Sequence, residues 1–314
     1  MRHHTAKLRL AGGLALATLT VLAAACGSTE TMPPEPGAVL VAVGDIACPP
    51  GEPEQPARCR HARTARVAAD LRPDAVAVLG DTQYDAATLE ELRGSFEPTW
   101  GRLRAPIRPA VGNHEYRTED ASGYFEYFGP AAGRPGRAWY SYDVGDWHVV
   151  VLDSNCGGDP QAPREADCRA GSPQERWLRA DLAAHPRRCT LAYWHHPRFS
   201  SGDHGEYASV EPLWRALYDG GAELLLVGHD HDYERFAPQD ADGSRDPARG
   251  IRQIVVGTGG EELRPFGSVA ENSERRNAET FGVLALTLRP DAYSWRFVPE
   301  PGRPFTDVGS DRCH

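Results

Sequence analysis

Five short hydrophobic runs in this chain each lead into a residue able to bind a metal ion, and this recurrence restricts the fold more than any other feature. Val39 to Val43 stops at Gly44-Asp45, and Ala75 to Leu79 stops at Gly80-Asp81, with Tyr84 three residues on. Pro109 to Val111 leads into Gly112-Asn113-His114-Glu115, Leu191 to Trp194 into His195-His196, and Glu223 to Val227 into Gly228-His229-Asp230-His231. Short apolar runs rich in β-branched side chains and bounded by glycine read as buried strands, and donors placed at strand exits converge on one rim. The pattern describes a hydrolase built around two metal ions.

Between these runs lie helical patterns of the length that parallel crossovers need. Arg60 to Leu71 precedes Pro73, Pro173 to Ala184 carries Trp177, Leu178 and Leu182 on one face, and Ser209 to Tyr218 carries Val210, Leu213, Trp214 and Leu217. Each stands just ahead of a strand that ends in donors, and Trp177 and Trp214 read as core residues. Toward the C-terminus the runs Ile251 to Val256, Phe281 to Leu288 and Tyr293 to Val298 follow one another closely, which is antiparallel hairpin material. The expected architecture is α/β, a four-layer α/β/β/α sandwich of two mixed sheets packed face to face with helices outside.

The first residues are expected to lie outside that fold. Arg2, Lys7 and Arg9 form a basic head, and Leu10 to Ala25 is an apolar stretch ending in Ala23-Ala24-Ala25-Cys26, which reads as an export signal over residues 1–25. The small residues before Cys26 resemble a bacterial lipoprotein box, so Cys26 is the expected lipid attachment point, the only membrane contact expected, and cell-surface anchoring or secretion the expected destination. The apolar stretch falls short of the roughly 20 residues that a membrane-spanning helix needs. Residues 26–37 shift to Ser, Thr, Glu and Pro, the composition of a tether, and residues 38–314 form the catalytic domain.

Formal net charge is −10, and loss of the three basic leader residues leaves the mature chain more acidic still. Such a chain is a poor nucleic-acid binder, and an anionic substrate requires local cations. Setting Cys26 aside, the seven cysteines leave six, an even number suited to disulfides in an exported chain. Pairing Cys48 with Cys59 and Cys156 with Cys168 encloses one short polar loop each and leaves Cys189 to hold the tail through Cys313.

Singly, the donor motifs say little, since a Gly-Asp pair after a strand is more often a turn. Their order says more: GD, GDTQYD, GNHE, a histidine ahead of a proline, and GHDHDYER. In that order the chain resembles the calcineurin-like metallophosphoesterases and, more narrowly, the purple acid phosphatases, over roughly residues 38 to 300. The resemblance implies one ion held by Asp45, Asp81, Tyr84 and His231, and a second held by Asp81, Asn113, His195 and His229, with Asp81 bridging. His195 is chosen over His196 because the family's ligand stands two places before a proline, here Pro197, which leaves His196 a supporting role. It also implies catalytic or phosphate-binding roles for His114, which follows Asn113 directly, and for His204, nine residues after His195.

One departure concerns the first block, which usually reads Asp-x-Gly in purple phosphatases and Asp-x-His in the wider superfamily, but here is Asp45-Ile46-Ala47. Alanine binds no metal, so Tyr84 is the residue that completes the coordination. The other departure is length, because no room exists before residue 38 for the N-terminal sandwich of larger plant-type members, and the chain resembles the compact form. Oxygen donors with imidazoles suit iron, manganese or zinc, and a phenolate suits Fe(III) in particular, so the expected pair is Fe(III) with a divalent Fe, Zn or Mn. The expected substrate is a phosphorylated small molecule, hydrolysed as a phosphomonoester by a hydroxide held between the ions. Two alternatives remain: a phosphodiesterase or nucleotidase on the same site, and a surface lipoprotein that kept the fold as a binding module. Tyr233, Glu234 and Arg235 match the family's extension of the last block, but read more simply as packing that steadies the histidine loop. Arg198 is a further candidate for phosphate.

Overall fold

All five donor-bearing runs are strands in the computed structural model, which describes residues 1–3, 37–157, 167–186 and 189–314. Most of the leader and the tether, Cys26 included, lies outside those residues. The strands are β1 (Ala38–Val43), β2 (Ala75–Leu79), β3 (Ile107–Ala110), β4 (Tyr140–Val144), β5 (Trp147–Val151), β6 (Thr190–Tyr193), β7 (Leu224–Val227), β8 (Tyr233–Phe236), β9 (Arg252–Val256), β10 (Ser273–Asn277), β11 (Gly282–Arg289), β12 (Ala292–Pro299) and β13 (Val308–Arg312). The α-helices are α1 (His61–Asp70), α2 (Leu89–Glu91), α3 (Ser122–Phe128), α4 (Pro173–Ala184) and α5 (Glu211–Asp219).

Two mixed sheets result, one of six strands ordered β13-β12-β11-β1-β2-β3 and one of seven ordered β10-β8-β9-β7-β6-β5-β4. β1, β2 and β3 pair in parallel, as do β5, β6, β7 and β9. Helices α1, α4 and α5 serve as the expected crossovers. A parallel strand must be re-entered from the same end, so the carboxyl ends of β1, β2 and β3 lie together, as do those of β6 and β7.

Alternation along β5 shows how the layers stack. Val149 and Val151 join a buried cluster with Leu40, Val78, Leu191, Leu226, Leu284 and Phe297 between the sheets. Val150 and Leu152 join a second cluster with Leu178, Leu213, Trp214 and Leu217 under α4 and α5. From Val149 on, β5 is apolar at every position and buried on both faces, which a period-two pattern with one wet face would not produce. The four-layer sandwich is the observed fold.

Three local readings change. Trp214 is fully buried, its Nε1 donating to Asp240 O at 2.8 Å, but Trp177 only edges the α4–α5 cluster, with the Arg137 guanidinium 5.9 Å from its ring centroid. The helix expected from Ser209 begins at Glu211, because a 3₁₀ turn over Ala208–Val210 precedes it. Hairpin β4–β5 and strands β10 and β13 were not legible, since β10 and β13 are mostly polar edge segments.

Disulfides join Cys48 to Cys59, Cys156 to Cys168 and Cys189 to Cys313, with Cα–Cα distances of 5.3, 5.5 and 5.5 Å. The third closes a separation of 124 residues and fastens β13 to the start of β6.

Candidate metal centre

Three of the strands turn sharply as they leave the sheet. Asp45, Asp81 and His229 each stand two residues beyond β1, β2 and β7, with φ of 60°, 47° and 70°. Left-handed backbone is uncommon in residues with a Cβ and costs on the order of 1–3 kcal/mol each, so it persists where neighbours enforce it. Here the enforcing bonds are visible. The Asp45 N–H donates to Gly80 O at 3.3 Å, the His229 N–H to Asp45 Oδ2 at 3.0 Å, and the His114 N–H to Asp81 Oδ1 at 3.0 Å. The buried Glu115 carboxylate accepts from the N–H groups of Asp81, Thr82 and Gly112 at 3.0, 2.7 and 2.7 Å, gathering the β2 and β3 exits onto one side chain. Burial first, then the Asp81 charge, pushes the Glu115 carboxyl up to about 7 against those N–H groups.

Two glycines make room for this convergence. Gly80 has φ +87°, and a Cβ there would lie 2.5 Å from His195 Nδ1. A Cβ on Gly228 would lie 2.6 Å from Asp45 Oδ2 and 3.1 Å from Leu79 O, so the exits of the two sheets approach more closely than any side chain permits.

The donors form two adjoining groups. In the first, Tyr84 Oη lies 3.0 Å from Asp45 Oδ1 and 3.0 Å from His231 Nε2, and His231 Nε2 lies 3.4 Å from Asp45 Oδ1. In the second, Asn113 Oδ1 lies 2.9 Å from His195 Nε2 and 3.1 Å from His229 Nδ1, and those two nitrogens are 3.2 Å apart. Asp81 Oδ2 stands between them, 3.1 Å from Tyr84 Oη and 3.3 Å from His195 Nε2. Donors bonded to a common ion at about 2.0–2.2 Å stand roughly 3 Å apart, so each group has the spacing of one ion's ligands.

Hydrogen bonds behind the donors fix which atom faces the centre. His195 Nδ1 meets Leu79 O at 2.8 Å and His231 Nδ1 meets Glu262 O at 3.0 Å, leaving each Nε2 inward. His229 is reversed, with Nε2 3.0 Å from Tyr207 Oη and Nδ1 inward. A carbonyl or hydroxyl on the outer nitrogen is the usual support of a metal-binding imidazole.

The electrostatics also suit cations. Burial pushes the His229 imidazole well below its usual pKa, and the neighbouring imidazoles of His196, His195 and His204 push it further, so it stays a neutral donor. Burial opposes charge on His195 as well, but Asp81 and Asp45 outweigh it and raise that imidazole to about 10. The same two carboxylates, after burial, hold the Tyr84 phenol well above its usual value. These acids draw positive charge into a pocket where none of the seven donors is a lysine or arginine. The side chains present fit a pair of metal ions.

A cavity of about 660 Å³ opens over this cluster. His114 lines it, its Nε2 3.8 Å from Asp81 Oδ2 and its ring 4.2 Å from that of Tyr84. His204 lines it too, stacked on His229 at 4.4 Å with its Nε2 2.6 Å from an Arg264 Nη. His196 lies outside the two donor groups, its Nδ1 2.8 Å from Ser154 Oγ. Arg198 does not line the cavity; its guanidinium lies over Phe199, 4.6 Å from the centroid. Tyr233 and Arg235 bond Asp307, and Glu234 accepts from the Ser201 N–H, so this stretch packs behind the histidine loop as its simpler reading has it.

Arg117, Tyr207 and Arg264 also line the cavity and were missed from the sequence. So was the clamp formed by Glu115, although it stands inside the GNHE block. Arg264 and Tyr207 lie on loops with no periodicity or motif, so nothing in the chain marks them.

A family model for calcineurin-like phosphoesterases matches residues 38–233, and the chain belongs to that family. Within it, the chain is purple acid phosphatase-like. It is 26% identical to purple acid phosphatase 15 of Arabidopsis thaliana over 60% of this chain and 40% of that one. It is 30% identical to acid phosphatase A of Cryphonectria parasitica over 49% of this chain and 34% of that one. The chain thus spans well under half the length of these relatives. Among solved structures, the purple acid phosphatase PPD1 from yellow lupin seeds shares the fold, with a TM-score of 0.68 at 18% identity over 87% of this chain and 53% of that one.

Proposed function

We propose that this protein is an exported phosphomonoesterase that works at a dinuclear metal centre. The observation that carries the reading is the meeting of seven donor side chains from five separate strand exits, each 2.9–3.4 Å from a neighbouring donor, beneath one open cavity. Asp45, Asp81, Tyr84 and His231 would hold Fe(III), and Asp81, Asn113, His195 and His229 a divalent Fe, Zn or Mn. Bound there, the ions acidify water and neutralise the charge of a phosphate ester.

The chain's own residues supply the rest. The His114 imidazole, which lines the cavity, delivers a proton to the departing alkoxide. His204 and Arg264 bind phosphoryl oxygens and counter the chain's acidic field. Tyr207 keeps His229 in the tautomer that presents Nδ1, and Glu115 holds Asp81 in its left-handed turn. Three disulfides support an exported protein, and the leader supports attachment through Cys26.

The test uses chelator-stripped protein reloaded with iron and zinc and assayed across acid to alkaline pH. Hydrolysis of p-nitrophenyl phosphate well above that of the bis-aryl diester is expected. Faster turnover of the diester points instead to a phosphodiesterase, and two bound metals with no turnover of either ester points to a binding module.

A further inference from the structure

A second cluster of metal-type donors lies at the opposite end of the seven-stranded sheet and plays no part in the proposed reaction. His148, the second residue of β5, pairs with Thr190 at the start of β6, whereas His195 follows the far end of β6. Its Nε2 lies 2.7 Å from Asp181 Oδ2 on α4, and its Nδ1 lies 3.1 Å from Asp143 Oδ1 on the edge strand β4. One turn after Asp181 comes His185, whose Nδ1 meets the Asp181 carbonyl at 2.9 Å and lies 3.4 Å from Asp181 Oδ1. The rings of His148 and His185 stack at 4.5 Å with 17° between planes, and one donor atom from each of His148, Asp181 and His185 falls within 4.8 Å of the others.

Each imidazole here has the support that a metal-binding histidine ordinarily has. Asp143 takes Nδ1 of His148 and the Asp181 carbonyl takes Nδ1 of His185; loss of the proton between His148 Nε2 and Asp181 frees that nitrogen, and the exposed His185 ring has to tilt out of its 17° stack to bring its own Nε2 to the same ion. Asp181 is fixed by Ser141, whose Oγ donates to its Oδ1 at 2.9 Å. His148 and Asp181 are buried, whereas the His185 side chain is 43% exposed, so an ion has a path from solvent.

We propose that His148, Asp181 and His185 bind a third metal ion, a divalent cation of the zinc class, with a fourth position open to solvent. Two imidazoles and one carboxylate are a donor set that zinc favours over calcium or magnesium. The ion takes the place of the proton now shared between His148 Nε2 and Asp181 Oδ2, so binding releases that proton to solvent. Its role is structural, clipping the edge hairpin β4–β5 to the end of α4. The site shares no residue with the dinuclear centre, so it stands or falls independently of the proposed activity.

The test is zinc titration of the full-length, chelator-stripped protein, read by calorimetry and by metal content after desalting. The wild type is expected to retain one more equivalent than His185→Ala, with at least a tenfold loss of affinity in the variant for that equivalent alone. His185→Gln, which can keep the helix-end hydrogen bond, should lose it as well, and Asp81→Ala should keep it while losing zinc at the main centre. Cobalt(II) in the wild-type site should add a visible d–d band that His185→Ala lacks. Equal zinc stoichiometry in wild type and both His185 variants, or filling only at millimolar zinc, overturns the proposal and leaves the cluster a protonated ion pair.

Discussion

The two sheets bring different chemistry to the same rim. The six-stranded sheet delivers the oxygen donors Asp45, Asp81, Tyr84 and Asn113 from the exits of β1, β2 and β3, and the seven-stranded sheet delivers the imidazoles of His195, His229 and His231 from β6 and β7. Neither half is comfortable alone. Two buried carboxylates repel one another, and so do the imidazoles as soon as more than one is protonated. Facing each other across the seam, they form a cage whose unbalanced acids favour cations. The core between the sheets is thus also what assembles the centre, because the register of that packing sets every distance from Asp45 and Tyr84 to His231.

The comparison breaks most severely if its shared member is removed. Asp81→Ala takes away the one oxygen between the two groups, and turnover of an aryl phosphate should fall at least ~10³-fold, on the order of 4 kcal/mol of transition-state stabilisation. The far-ultraviolet spectrum should remain native. Retention of a tenth of the activity would show that the oxygen half does not bridge.

Gly228→Ala tests the seam itself. A methyl 2.6 Å from Asp45 Oδ2 and 3.1 Å from the Leu79 carbonyl forces the sheets' exits apart. A loss of ~1–3 kcal/mol in stability is expected from the overpacking, with a roughly 10–100-fold loss of activity. Denaturant melts and steady-state rates measure the two separately, and a neutral result would mean that the approach is not as close as described.

Removing a support without touching a donor should cost less. Glu115→Gln replaces one acceptor oxygen of the carboxylate holding the Asp81, Thr82 and Gly112 N–H groups, and a roughly 10-fold fall in metal affinity or turnover is expected. Tyr84→Phe sharpens the assignment by colour rather than rate. A visible band from phenolate bound to Fe(III) should be present in the iron-loaded wild type and absent in the variant. A band that survives the substitution assigns the colour elsewhere.

The smallest effect lies away from the rim, in chelator-treated protein. Although burial opposes charge on both groups, the hydrogen bonds that His148 donates to Asp181 and Asp143 raise its pKa above 6.5, and those that Asp181 accepts from His148 and Ser141 lower that carboxyl below 3.8. The histidine contribution is full below its unfolded value and is lost as pH rises through the raised folded value. The aspartate contribution is full above its unfolded value and is lost as pH falls through the lowered folded value. Asp181→Asn should therefore lower Tm most between about pH 4 and 6.5. About 1 kcal/mol, or roughly 2–4 °C, is the expected size at a partly solvated site. A difference that stays flat from pH 4 to 9 would contradict the ion pair.

The strands at the rim were legible because each carries a short apolar run that ends at a donor motif, four of the five through a glycine, and α4 was legible because Ser172 caps it and Pro173 opens it. The disulfide pairs followed from loop lengths. The polar edge strands β10 and β13 carry no such pattern, and Trp177 sits on the apolar face of α4 yet at its solvent border. Arg264 and Tyr207 are instructive in another way. Arg264 reaches His204 across 60 positions of sequence, and Tyr207 reaches His229 across 22. Spacing in the chain says nothing about such encounters.

Sequence alone determined which residue types stand at each strand exit, and with them the layered α/β architecture and the family, because hydrophobic periodicity and short motifs are properties of neighbours in the chain. Only the tertiary structure decided which nitrogen of each histidine faces inward, that Asp81 stands between two groups of donors, and that His148 meets His185 at the other end of the sheet. Those facts depend on how two sheets and a helix pack. Packing is settled by contacts between residues far apart in the chain, which no local pattern encodes.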